Sequence, residues 1–113
     1  MSEVISVIKI IARPEKRREL FLTISSLLNS IRDEKGCHGY RFYGEADEQD
    51  SFLLVGEWDT GTDLHRHLKS EQFTILLGSL GLLTKEESLD FKLLSEVAGL
   101  EVFIETGMKN KGA

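Results

Sequence analysis

The clearest periodic pattern in the chain follows Pro14. Large apolar residues recur there at spacings of three and four, which places them on one helical face: Leu20, Phe21, Ile24, Leu27, Leu28 and Ile31. Proline suits the first position of a helix, because the N–H that it lacks would be unpaired there in any case. Gly36 is a natural C′ residue, so we expect this helix to end just before it.

Strand-like segments flank this helix. Residues 4–12 are rich in Val and Ile, and both of their alternating faces are mostly apolar. The aromatic segment 40–43 predicts a second strand, and the polar segment 46–50 predicts a hairpin turn into a third strand at 52–58. Residues 89–97 begin with apolar and charged residues in alternation and predict a fourth strand.

The third strand leads directly into a pair of short helices. Thr60 and Asp63 have the spacing of a capping box, which predicts a helix start near residue 61. Three residues share the inner face of that helix: Leu64, His67 and Leu68. Ser70 can cap a second helical run, whose apolar residues share one face: Phe73, Leu76, Leu77 and Leu80. A connection exposed to solvent is expected at residues 84–87, which include Thr84.

The order β-α-β-β-α-β, with the helix pair as its second helical unit, predicts an α+β, ferredoxin-like fold. Its helices lie on one face of an antiparallel sheet. The 113 residues suit a single domain, 1–113, with a core at about 3–97 and a C-terminal extension at 98–113. Residues 100–105 fit a strand and a helix equally well, and both remain open.

The third strand is apolar on both faces. Phe52, Leu54 and Trp58 lie on one face, and Leu53 and Val55 lie on the other. An antiparallel sheet with one solvated face alternates apolar and polar residues instead. Because the helices cover one face only, we expect a second copy to cover the other. This predicts a homodimer in which the sheets of two protomers pack face to face.

Composition and charge exclude several kinds of partner. The net charge of −5 weighs against nucleic acid, since phosphate binding requires a basic face. The chain lacks a run of 18 apolar residues, so no membrane is expected. Its first residues carry an acid where a signal peptide has positive charge, which favours a cytoplasmic location. A single cysteine, Cys37, excludes an internal disulfide.

His67 is the best candidate for chemistry. On the inner helical face it can act as a general base or bind a phenol or quinol oxygen. The alternative is a core histidine satisfied by a backbone carbonyl. His65, two residues away, faces elsewhere on a helix, so no metal site is expected. His38, at the start of the second strand, is expected to be exposed.

Aromatic and small residues near the sheet offer a pocket around His67. Trp58, where the third strand meets the capping turn, is either core or the wall of an aromatic-binding pocket. Ser6 and Gly56 are small residues in bulky strands and can leave a cavity. The candidate ligand-binding residues are Ser6, Ile8, Tyr40, Phe42, Trp58, Phe73 and Leu77.

Three motifs together resemble the antibiotic biosynthesis monooxygenase (ABM) family of the dimeric α/β-barrel superfamily. They are Gly36-Cys37 before the aromatic segment 40–43, then Glu57-Trp58, then His67-Leu68-x-Ser70-x-x-Phe73. The resemblance covers about residues 3–100. It implies the ferredoxin-like fold, a homodimer in which the sheets of two protomers pack as a dimeric α/β barrel, and a ligand between the sheet and the helices of each protomer.

The resemblance also implies an activity. Relatives include cofactor-independent oxygenases of quinols and polyphenols, so the chain is expected to be such a monooxygenase, with His67 as base and no cofactor. A small aromatic or quinol-like molecule is the expected partner. Two alternatives remain: a non-catalytic small-molecule-binding protein, and an isomerase of a reactive metabolite. Haem degradation is not expected, because that branch has Trp at His67, a ligating His near Leu77 and Asn near Ile8.

Overall fold

A computed structural model describes residues 3–85 and 90–95. In that part of the chain, an antiparallel four-stranded sheet in the order β2-β3-β1-β4 carries the helices on one face. The elements are β1 (Val4–Ile11), a 3-10 turn (Pro14–Lys16), α1 (Arg17–Arg32), β2 (Cys37–Gly44), β3 (Ser51–Trp58), α2 (Gly61–Leu68), α3 (Glu71–Leu83) and β4 (Asp90–Ser95). This is the predicted ferredoxin-like α+β fold.

Alternation along the strands divides the sheet into two faces, as predicted. The face under the helices is buried and forms the core with them; it includes Ser6, Ile8, Ile10, Leu54 and Trp58. The opposite face carries residues of intermediate exposure: Ile5, Val7, Leu53 and Val55. The ends predicted for the fourth strand, residues 89, 96 and 97, lie outside the described residues, as does the ambiguous segment 100–105.

Both predicted helix caps are present. The Thr60 hydroxyl accepts a hydrogen bond from the backbone N–H of Asp63 at 3.1 Å. The Ser70 hydroxyl accepts one from the N–H of Phe73 at 3.2 Å. Each bond satisfies a first-turn N–H that has no partner within its own helix, which fixes where α2 and α3 begin. Pro14 begins the 3-10 turn just before α1, not α1 itself.

The predicted end of α1 is wrong by two residues. The helix ends at Arg32, with Asp33 as its C-cap, so Gly36 is not the C′ residue. Gly36 instead has φ +79° in the turn that leads into β2. A β-carbon there would overlap the Asp63 carboxyl group, so glycine is required both by the backbone and by the close approach of α2.

Two predictions at α3 are also corrected. The buried residues of this helix are Phe73, Leu76, Leu80 and Leu83, whereas Leu77 is 46% exposed. The inner face follows spacings of three and four from Phe73 through Leu83, which rotates Leu77 to the side. Thr84, predicted to be exposed, is only 4% exposed. It forms an isolated antiparallel β-bridge with Ala12, and its hydroxyl donates a hydrogen bond to the Leu80 carbonyl at 2.6 Å.

Candidate functional site

His67 points into the interior, as the helical spacing predicted. Thr60 caps the start of α2, which follows directly after the end of β3. The side chain of His67 is 1% exposed. The ring therefore lies between the helices and the sheet.

Three aromatic rings surround His67. Trp58 of β3 stacks on it, with 4.5 Å between the ring centroids and 26° between the planes. Tyr40 of β2 and Phe73 of α3 present edges to it at 5.4 and 5.0 Å. All three were predicted ligand-binding residues, and the fold brings them together around the candidate base.

The first polar partner of His67 is Glu34, which the sequence did not indicate. Both carboxylate oxygens lie 3.1 Å from His67 Nδ1. An ionised carboxylate can only accept a hydrogen bond, so Nδ1 carries the proton and donates it. Glu34 follows the end of α1 in sequence, where a charged residue is normally solvated, and nothing local marks it as a partner of a residue 33 positions away.

The other ring nitrogen of His67, Nε2, is buried and has no hydrogen-bond partner among the described residues. With the proton on Nδ1, Nε2 presents a lone pair and can only accept. A buried polar atom without a partner costs about 1–3 kcal/mol, so its presence in the core indicates a site for a donor that the described residues do not supply.

Burial sets the protonation of the two titratable rings in this cluster. Desolvation lowers the pKa of His67, and the charge and hydrogen bond of Glu34 partly oppose that shift. Desolvation, together with the nearby Glu34 charge, raises the pKa of Tyr40. The tyrosine is therefore a neutral phenol at neutral pH, and the buried imidazole favours its neutral form.

The floor of the cluster is a row of residues across three strands. Ser6, Gly56 and Tyr40 lie opposite one another on β1, β3 and β2. The Trp58 indole leans over this row and donates its N–H to the Ser6 hydroxyl at 3.3 Å. A β-carbon on Gly56 would lie 2.7 Å from Trp58 Nε1. The space that the two small residues leave is thus occupied by the indole and the Tyr40 ring.

The remaining predicted ligand-binding residues lie apart from the ring contacts of His67. Ile8 is buried two residues further along β1. Phe42 stacks on Phe52 with centroids 5.0 Å apart and forms a separate aromatic group with Phe21. Leu77 is on the exposed side of α3.

Other candidate chemistry is weaker. His38 is exposed, as expected, and lies 3.4 Å from Asp59, while His65 is exposed on α2. Burial raises the pKa of the Cys37 thiol, which disfavours the thiolate. Within residues 3–85 and 90–95, no cluster of His, Cys, Asp and Glu could hold a metal ion. None of the helices in this part of the chain is long and apolar enough to cross a membrane.

Comparison with known families identifies the chain. The model of the antibiotic biosynthesis monooxygenase family matches residues 3–75, a stretch that includes the whole His67 cluster. The chain belongs to the antibiotic biosynthesis monooxygenase family. An uncharacterized protein of Synechocystis is 30% identical to this ABM chain over 61 residues, which are 54% of this chain and 42% of that protein. The match thus spans less than half of the relative's length.

Solved structures share the fold. A conserved protein from Methanosarcina mazei is similar with a TM-score of 0.78 at 24% identity, over 83% of this chain and 92% of its own. A Mycobacterium tuberculosis protein also has a TM-score of 0.78, at 21% identity over 86% and 97% of the two chains. An antibiotic biosynthesis monooxygenase has a TM-score of 0.70 at 21% identity, over 88% and 99%. At these sequence identities, the similarity shows a shared fold and no shared activity.

Proposed function

We propose that this ABM protein is a cofactor-independent monooxygenase of a small quinol or polyphenol, with His67 as the general base. The observation that carries the proposal is the state of the His67 ring. Its Nδ1 is held by Glu34, and its Nε2 is a buried acceptor that has no partner within residues 3–85 and 90–95. Burial lowers the pKa of His67, which keeps the imidazole free to take a proton at neutral pH.

The reaction needs no bound redox group. His67 Nε2 takes the proton of an aromatic hydroxyl, and the resulting anion gives one electron to dioxygen. The aryloxyl radical and superoxide combine to form a C–O bond at a ring carbon, giving a hydroperoxide after protonation. Loss of water from that carbon leaves one oxygen atom in the product as a carbonyl. The substrate supplies all four electrons that dioxygen accepts.

Nε2 is buried, so a substrate reaches it only if a neighbouring side chain moves. Phe73 is 6% exposed, against 2% for Tyr40 and 0% for Trp58, and it lies in the first turn of α3. We infer that Phe73 moves to admit the aromatic substrate while Trp58, anchored through Ser6, stays in place as a stacking wall.

Oxygen uptake with a panel of quinols and polyphenols tests the proposal. His67→Phe keeps a planar ring and removes both nitrogens, so the turnover number should fall by roughly 10²- to 10⁴-fold. His65→Phe makes the same change at an exposed position of the same helix and should leave uptake unchanged. Equal rates for the wild type and His67→Phe, with both proteins folded, would contradict a role for His67 as base.

The three aromatic rings packed around His67 support a second candidate, a protein that binds a small aromatic molecule without converting it. His67 is 1% exposed and in contact with three rings, as in a packed core. Thermal stabilisation by an aromatic ligand with no oxygen uptake and no change in the ligand would favour this candidate. Conversion of a reactive metabolite without oxygen uptake would instead favour an isomerase.

We also propose that the protein acts as a cytoplasmic homodimer. The support is the sheet face opposite the helices, where residues of intermediate exposure form an apolar centre: Ile5, Val7, Leu53 and Val55. The charged pair Arg41–Glu57, at 2.6 Å, lies on the same face. A second copy placed on this face would remove the apolar centre from water.

A further inference from the structure

We propose that Glu34 is a positioning residue that fixes the tautomer of His67, and that the site consequently selects molecules that present an O–H or N–H donor. The catalytic consequence rests on the proposed function, whereas the tautomer and the selection do not. A phenolic or quinol O–H is such a donor, whereas a quinone carbonyl can only accept and is disfavoured at Nε2.

For the neutral ring, the geometry leaves one arrangement of protons, with Nδ1 protonated and Nε2 unprotonated. Glu34 offers two oxygens at equal distance, 3.1 Å, from Nδ1, and neither can donate while the carboxylate is ionised. The groups that face His67 from the other packed elements are the rings of Trp58, Tyr40 and Phe73. Tyr40 is the titratable one, and its raised pKa keeps it neutral.

Glu34 is held in place by the turn around it. Its N–H donates to the Ile31 carbonyl at 3.0 Å, and its carbonyl accepts from Cys37 N–H at 3.1 Å. The turn is also joined to the end of β3, because Asp59 N–H donates to the Gly36 carbonyl at 2.8 Å. Its side chain is 17% exposed, so the carboxylate is substantially shielded from water at the His67 end.

Removing the charge of Glu34 has a signature that a packing role would not produce. Glu34 raises the pKa of His67 against the lowering by burial. Glu34→Gln should therefore lower that pKa further and move the acidic limb of the pH–rate profile to lower pH. The plateau rate should fall, by up to roughly 10⁴-fold if the loss resembles that of other carboxylates that orient an imidazole base.

Nitrogen-15 NMR of the His67 ring in the full chain tests the tautomer directly. We expect a protonated Nδ1 and an unprotonated Nε2 in the wild type, and loss of that single tautomer in Glu34→Gln. Asp33→Asn removes the neighbouring exposed carboxylate and should change neither nitrogen. A wild-type ring protonated at Nε2, or one unaffected by Glu34→Gln, would overturn the positioning role, whatever the oxygen uptake.

Selection by a donor is tested with 2-naphthol and 2-methoxynaphthalene, which have the same ring system with and without an O–H. We expect calorimetry to show tighter binding of 2-naphthol by about tenfold, equivalent to one hydrogen bond. The preference should vanish in His67→Phe and persist in Asp33→Asn. Equal binding of the two probes, or binding of neither, would overturn the selection. Absence of oxygen uptake with any quinol would refute the oxygenase alone.

Discussion

Replacing Gly56 by alanine should destabilise the protein through the floor of the His67 cluster. Gly56 is the central member of the row that Ser6 and Tyr40 complete. An added β-carbon would lie 2.6 Å from Ser6 Oγ, 2.7 Å from Trp58 Nε1 and 2.9 Å from Tyr40 Cδ1. All three distances are below the 3.0 Å at which something must shift, and two of the three neighbours are rings packed in the core.

The expected loss follows from two contributions. Forcing an extra methyl group into a packed core typically costs about 1–3 kcal/mol. If Trp58 shifts, its N–H loses the Ser6 hydroxyl inside the core, which costs about 1–3 kcal/mol more. The smaller entropy of the unfolded alanine chain returns about 0.4–1 kcal/mol. The net loss in the free energy of unfolding should be about 1–5 kcal/mol.

Urea unfolding followed by fluorescence measures this loss. Trp58 is the single tryptophan of the chain, so its emission reports the cluster itself. Gly78→Ala is the matched control, because a β-carbon there meets no atom within 4 Å in the middle of α3. The better helix propensity of alanine should make that variant more stable by up to about 1 kcal/mol. The same substitution should thus have opposite signs at the two sites.

A Gly56→Ala variant as stable as the wild type, at equal protein concentration, would refute the conclusion that rings occupy the space above Gly56. Ser6→Ala provides a further check. It removes one of the three overlapping atoms but also the acceptor of the Trp58 N–H. The two substitutions should therefore be non-additive, and simple additivity would contradict a shared contact.

Three further predictions concern α2, pH and assembly. Thr60→Ala removes the hydroxyl that caps α2 and should lower the free energy of unfolding by about 0.5–2 kcal/mol. Thr62→Ala, at the second residue of the same helix, removes no cap and should lower it much less. In the folded protein the pKa of His67 is below its ordinary value of 6.5, so below pH 6.5 the unfolded chain binds more protons than the folded one. The free energy of unfolding should therefore fall as the pH drops below 6.5. Denaturation measured at several pH values should show a weaker dependence for His67→Phe. Wild-type sedimentation should give twice the 12.8 kDa chain mass, and Leu53→Asp should disrupt assembly or folding.

Local patterns in the sequence were sufficient to predict the helices and strands and the inward direction of the His67 side chain. The Thr60 and Ser70 caps depend on residues only three positions away, so their spacing identified both helix starts. From that start, the helical period puts His67 on the same face as Leu64, and the apolar character of that face predicts that the ring points inward. Alternation in β1 and β3 likewise separated the two sheet faces. The order of the elements then gave the ferredoxin-like fold.

Contacts between distant parts of the chain decided the rest. Glu34 and His67 are 33 residues apart, and their pairing depends on the turn after α1 meeting α2, where Gly36 accommodates Asp63. Leu77 matched the apolar pattern of α3 but lies to its side, because packing on the sheet, rather than spacing alone, fixes the rotation of a helix. Gly56 is a further example. The sequence shows only that a small residue stands there, whereas the folded structure shows that the Trp58 indole occupies the space beside it.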